Sequence, residues 1–137
     1  MRKLAFAAVL ILAAFPARAQ NDAGAAKQCG SHNPDQAIMG CTQLIQTQHQ
    51  TKEMLAFAYN DRAWAYHQIG KDDDALRDVN MALVLVPKNA AVIETRAEIY
   101  EKLGKHDQAV ADYRAALELD PQMKQASDGL KRLGAKP

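Results

Sequence analysis

Few of the features that usually settle a protein's class occur in this 137-residue chain. It has two cysteines, one tryptophan and a single long apolar run, residues 4–14. No glycine-rich phosphate loop is present, so nucleotide chemistry has no cradle. His32, His49, His67 and His106 show neither ligand spacing nor a neighbouring cysteine pair, and each reads as a surface or loop residue. Asp72, Asp73 and Asp74 are consecutive, whereas a calcium loop needs alternating ligands and a terminal glutamate. Cys29 has His32 close by in sequence, but no electropositive setting or orienting partner for a nucleophile. Charge of one sign is missing too: 17 basic residues face 16 acidic ones. That balance gives no footprint for nucleic acid or anionic lipid. The expectation is a non-catalytic protein without a cofactor or metal. An enzyme of unidentified type is the last alternative.

The apolar run follows Arg2 and Lys3 and leads to Ala17, Arg18 and Ala19, a small–x–small junction. That order predicts a secretory signal peptide over residues 1–19. A membrane anchor is the other reading, but the run is shorter than the roughly 20 residues a spanning helix needs. No cysteine follows the junction directly, which argues against a lipoprotein. Cleavage leaves residues 20–137, with net charge −2 and no membrane span. The expected location is outside the cytoplasm, in the periplasm of a Gram-negative bacterium.

What is present is a repeat. Residues 56–89 and 90–123 align without a gap at a period of 34, with thirteen identities. Ala56, Arg62, Ala63, Tyr66, Gly70, Lys71 and Asp73 fall on Ala90, Arg96, Ala97, Tyr100, Gly104, Lys105 and Asp107. Ala75, Asp78, Ala82, Leu83, Leu85 and Pro87 fall on Ala109, Asp112, Ala116, Leu117, Leu119 and Pro121. Within one unit, Tyr59, Ala63 and Tyr66 make one helical stripe. Gly70 can take a positive φ and stop that helix. Asp72, Asp73 and Asp74 are expected to supply an N-cap and favourable charge to the next helix. Ala75, Val79, Ala82 and Val86 form its apolar stripe, and Pro87 ends it. The small alanines let two helices approach closely while the tyrosines fill the gaps.

Small residue, Tyr, Gly, Ala, Ala and Pro in this order resemble the tetratricopeptide repeat, a helix–turn–helix unit. Tyr59 and Ile93 stand where that family often has Trp, and Ala63 and Ala97 replace its common Gly. Arg62 and Arg96 look like the bacterial version of the repeat. The resemblance implies an all-α fold, a short α-solenoid. Residues 20–50 are expected to form a degenerate N-terminal repeat, 56–89 and 90–123 two clear repeats, and 122–133 a capping helix.

At the N-terminal end a short helix is expected around residues 23–29. Asn33 and Pro34 read as an N-cap and a first-turn proline. Ala37, Cys41, Leu44 and Ile45 give the stripe of a second helix over 34–47, and the next helix starts near Thr51 or Lys52. At the other end Ala126, Leu130 and Leu133 face inward, Lys131 and Arg132 outward, and Gly134 stops the helix. In an exported chain the even cysteine count points to a Cys29–Cys41 disulfide. It would stabilise the degenerate end by about 3 kcal/mol. Two reduced, buried thiols are the alternative. The Cys, short loop, Cys-Thr order also resembles a group of exported bacterial repeat proteins.

In this family the first helix of each repeat lines a concave groove that takes a protein or peptide segment. By alignment the groove candidates are Phe57, Asn60, Trp64, His67 and Gln68, then Ala91, Glu94, Glu98, Glu101 and Lys102. Trp64 lies off its helix's core stripe. It is either a binding anchor or packing against the neighbouring repeat. The glutamates suit a basic or neutral segment better than an acidic one, unless they form only a solvated face. Other family members clamp a terminal carboxylate with Lys, Arg and Asn. Only Asn60 matches that set, so the clamp is not expected here. The expected function is a protein-binding or scaffold module. The runner-up is a subunit that self-associates, as a homodimer, through its exposed repeat faces.

Overall fold

Three helical hairpins and a closing helix make up the fold seen in the computed structural model, which describes residues 15–47 and 50–136. Residues 1–14, most of the expected leader, and His49 lie outside the described residues. The helices are α1 (Phe15–Cys29), α2 (Pro34–Gln46), α3 (Lys52–Gln68), α4 (Asp72–Leu85), α5 (Ala90–Lys102), α6 (His106–Leu119) and α7 (Lys124–Arg132). Helices α1/α2, α3/α4 and α5/α6 pair, and the pairs stack through α2 on α3 and α4 on α5. Helix α7 closes the stack against α6, and no strand occurs among the described residues. The architecture is the expected all-α solenoid.

Local chemistry sets the helix ends. Gly70, Gly104 and Gly134 have φ of 77°, 70° and 67°, a region that side-chain-bearing residues enter at a cost. After each, the next amide reaches back across the turn: Lys71 to Tyr66 O, Lys105 to Tyr100 O and Ala135 to Leu130 O, all at 2.9 Å. These bonds satisfy carbonyls that a helix end leaves unpaired. Asn33, Thr51 and Asn89 cap α2, α3 and α5, accepting from Gln36, Met54 and Val92 amides at 3.0, 3.1 and 3.2 Å. The expected aspartate cap of α4 does not form. Lys71 holds the cap position without a side-chain bond, and all three aspartates lie in the first turn. They act there through charge near the helix N-terminus. Asp72 has turned back to His67 Nδ1, 2.9 Å away.

Packing follows the repeat. Ala63, Ala75, Ala82 and their counterparts Ala97, Ala109 and Ala116 have no exposed surface. Val79, Val92 and Ile99 fill the core between α3, α4 and α5, flanked by Tyr59 and Tyr66. An arginine ties each hairpin to the one before it. Arg62 donates to both Asp78 oxygens, at 2.6 and 2.9 Å, and to Thr42 Oγ1 on α2 at 2.9 Å. Arg96 repeats this with Asp112, at 2.7 and 2.8 Å, and with Asn80 Oδ1 on α4 at 3.1 Å. Both aspartates are buried, so removing either arginine leaves an uncompensated charge, a loss of about 3–5 kcal/mol.

The ends depart from the repeat. Helix α1 is longer than the expected segment over 23–29 and starts at Phe15. Its proline, Pro16, falls in the first turn, where no helical hydrogen bond is lost. Cys29 and Cys41 are joined, with Cα atoms 4.5 Å apart, inside a cluster with Ala25, Leu44 and Ala58. A Cβ at Gly40 would come within 2.5 Å of Cys29 N and 2.7 Å of Ala25 O, so α1 and α2 approach more closely there than any side chain allows. At the other end Gly129 of α7 lies on the fully buried ring of Tyr113.

Candidate protein-binding groove

Helices α3, α5 and α7 are the first helices of their repeats, and α5 touches both of the others. The 34-residue register therefore places Phe57 beside Ala91, Asn60 beside Glu94 and Trp64 beside Glu98 on adjacent helices. Two cavities open on this face. One of about 160 Å³ is lined by Phe57, Asn60 and Ala91, among others. The other, about 310 Å³, is lined by Trp64, His67, Glu98, Glu101, Lys102 and Arg132. Phe57 is 54% and Trp64 39% exposed, so the repeat core claims neither ring.

Some of the sequence-derived groove residues are engaged within the chain. Lys102 Nζ donates to the His67 carbonyl at 2.7 Å and sits 3.4 Å from Asp72. His67 stacks at a tilt on Trp64, ring centres 5.4 Å apart, and bonds Asp72. Glu101 is held by Arg132 through two bonds of 2.9 Å and by the Tyr113 hydroxyl at 2.6 Å. Arg132 holds the Glu101 carboxyl below the usual carboxylate range. Burial, followed by the bond to Glu101, pushes the Tyr113 hydroxyl up.

Asn60 and Glu94 are different. Asn60 Oδ1 and Glu94 Oε1 are fully buried acceptors without a hydrogen-bond partner. Burial, then the Glu98 carboxylate, pushes Glu94 up to about 7, opposed by Arg132. Trp64 also walls a third cavity, about 190 Å³, together with Cys29, His32, Asp61 and Gln68. Burial pushes Asp61 up to about 6.

Arg132, Asp61 and Tyr113 were missed by sequence reasoning. Arg132 reads as a solvated residue on the wheel of α7 alone, and only the docking of α7 brings it to Glu101. Asp61 adjoins Asn60, and its neighbour cavity depends on the 30–33 turn fixed by the disulfide. Tyr113 belongs to a core stripe, and nothing in that stripe shows its hydroxyl reaching another helix.

Residues 95–123 match the family model of the tetratricopeptide repeat. A search of curated protein sequences found no match. Among solved structures, the Arabidopsis OM64 TPR domain is similar at 26% identity and a TM-score of 0.72, covering 85% of this chain and 93% of that one. The first TPR of Spaghetti (RPAP3), bound to the HSP90 peptide SRMEEVD, is 23% identical with a TM-score of 0.72, covering 85% and 89%. The second TPR domain of human RPAP3, in complex with the HSP70 peptide SGPTIEEVD, is 24% identical with a TM-score of 0.66, covering 87% and 92%. Fold, register and the matched repeat together show that this chain folds as a short helical solenoid similar to tetratricopeptide-repeat domains.

Proposed function

We propose that this protein is an exported, non-catalytic interaction module that holds a segment of another protein in the groove of α3 and α5. The single observation that carries the reading is the pair of exposed aromatic rings, Phe57 and Trp64, that line cavities on the first-helix face. Such rings offer apolar anchorage to a partner segment. Two of the similar domains hold peptides, which supports the same use here. Their peptides carry glutamates near the end, whereas here Lys102 and Arg132 are offset by Glu98 and Glu101, so the groove has no net positive charge to receive such a ligand.

Export is part of the proposal. The sequence pattern of residues 1–19 supports it, as does a disulfide, which persists in oxidising compartments. Cleavage after Ala19 would shorten α1 yet keep Ala25 and Cys29, the α1 residues of the buried cluster.

Trp64→Ala tests the groove. Loss of an exposed anchor costs about 2 kcal/mol or more of partner binding. A core tryptophan would instead cost about 3–5 kcal/mol of stability. The expected variant melts like the parent and loses its co-purifying partner. Early unfolding, or unchanged capture, would remove the groove from the account.

A further inference from the structure

Among the described residues the hairpins and α7 meet at three junctions, and the chain supplies a cation to two of them. At the second, Lys102 of α5 reaches back over the α3/α4 turn to the His67 carbonyl at 2.7 Å and to Asp72 at 3.4 Å. At the third, Arg132 of α7 reaches back to Glu101 of α5 through two bonds of 2.9 Å. At the first, the 34-residue register puts Gln68 where Lys102 stands and Trp64 where Arg132 stands. The first junction therefore receives no cation from either position.

It holds an acid instead. Asp61 stands where the following repeats have Thr95 and Gly129. Its carboxyl is half-buried, and burial alone shifts it, with no hydrogen-bond or charge partner acting on it among the described residues. Asp61 lines the cavity of about 190 Å³ between the α1/α2 turn and α3, together with Trp64 and Gln68. No lysine or arginine among the described residues lines that cavity, and His32 is the other ionisable side chain there.

We propose that this first junction is a seat for an alkylammonium group from outside the chain, held between the Asp61 carboxylate, the Gln68 amide oxygen and the Trp64 ring. An ammonium brings three donors and is attracted to an indole face. Lys102 shows the same arrangement filled from within, an ammonium held by a turn carbonyl and a carboxylate at the next junction. The cavity is smaller than the about 300–1,000 Å³ of pockets for whole ligands, so it admits one head group. Free amines and lysine side chains carry that group alike. The seat shares the Trp64 ring with the groove cavity but does not depend on the groove reading.

The probes are n-butylammonium, its neutral isostere n-butanol, and Nα-acetyl-lysine methylamide. Each is titrated at about pH 8, where Asp61 is ionised, into protein carrying ¹³C-labelled aspartate carboxyls. n-Butylammonium is expected to move the Asp61 carboxyl and Trp64 indole signals and to bind at least about tenfold more tightly than n-butanol. It is also expected to lower the Asp61 titration from about 6. Asp61→Asn is expected to remove the preference for the cation. Gln68→Lys, at an exposed position, is expected to fill the seat as Lys102 fills the next one, lowering the Asp61 titration by itself and blocking n-butylammonium. Binding of the capped lysine as well assigns the seat to a protein side chain, and binding of n-butylammonium alone assigns it to a free amine. Equal shifts from n-butylammonium and n-butanol, or binding that survives Asp61→Asn, would overturn the seat and leave the groove reading untouched.

Discussion

The contact of Gly129 with Tyr113 shows how one repeat position can be rewritten as a cap, and it can be tested quantitatively. One repeat earlier the same two positions hold Thr95 and Val79, both buried. A Cβ on Gly129 would lie 2.5 and 2.7 Å from Tyr113 Cε2 and Cε1 and closer still to Cζ. The ring cannot retreat, because it is fully buried and its hydroxyl holds Glu101. Gly129→Ala should therefore cost about 1–3 kcal/mol from overpacking, less the roughly 1 kcal/mol that alanine gains over glycine in a helix. Tyr113→Val alone should cost about 3 kcal/mol, from the cavity it leaves. Together the two changes bring the pair closer to the Thr95 and Val79 of the preceding repeat and remove the clash between the new Cβ and the ring, so their effects should not add. A favourable coupling of about 1–3 kcal/mol is expected, measured as a double-mutant cycle by urea unfolding. Strict additivity would refute the claim that the glycine exists to admit the ring.

Other outcomes follow from the same geometry. Free-thiol labelling of the unfolded, unreduced protein should find no thiol, because Cys29 and Cys41 are joined, and reduction should loosen α1 and α2 before the rest. Gly70→Val should lower the melting temperature far more than Lys71→Ala, since φ is 77° at Gly70. Ala82→Leu should cost about 1–3 kcal/mol by forcing α4 off its neighbours, and an unchanged melt would mean that the core register is wrong. Asp61 and Glu94 stay protonated in the folded chain to about pH 6 and about pH 7, against 3.8 and 4.5 for ordinary carboxyls. Their contribution is thus fully present below about pH 4 and is lost as pH rises through 6 and 7. Solvent screening of these part-exposed groups limits the total to about 1–2 kcal/mol. A melting temperature that rises from pH 5 to pH 8 would contradict this.

Much of the fold was legible because it depends on short-range chemistry. Gly70 and Gly104 mark turns that need a positive φ, and Asn33 with Pro34 spells out a helix start. The alanine and tyrosine stripes recur at a fixed period. Where reading failed, a tertiary contact had taken over a local role. Asp72 could cap α4, but His67 and Lys102 draw its carboxylate away. The wheel of α7 sends Arg132 to water, but the docking of α7 on α5 and α6 brings it to Glu101. The candidate groove was half legible. Alignment placed Asn60 and Glu94 side by side, yet the missing partners of both appear only in three dimensions.

The central claim is that the α3/α5 face holds the partner, and site-specific photo-crosslinking tests it most directly. A photoreactive residue at Phe57, 54% exposed in the groove, is compared with one at Val84, 75% exposed on α4 and lining none of the groove cavities. The account predicts that the Phe57 probe captures one defined segment of a partner and that the Val84 probe captures nothing. Capture through Val84 with none through Phe57 would contradict it.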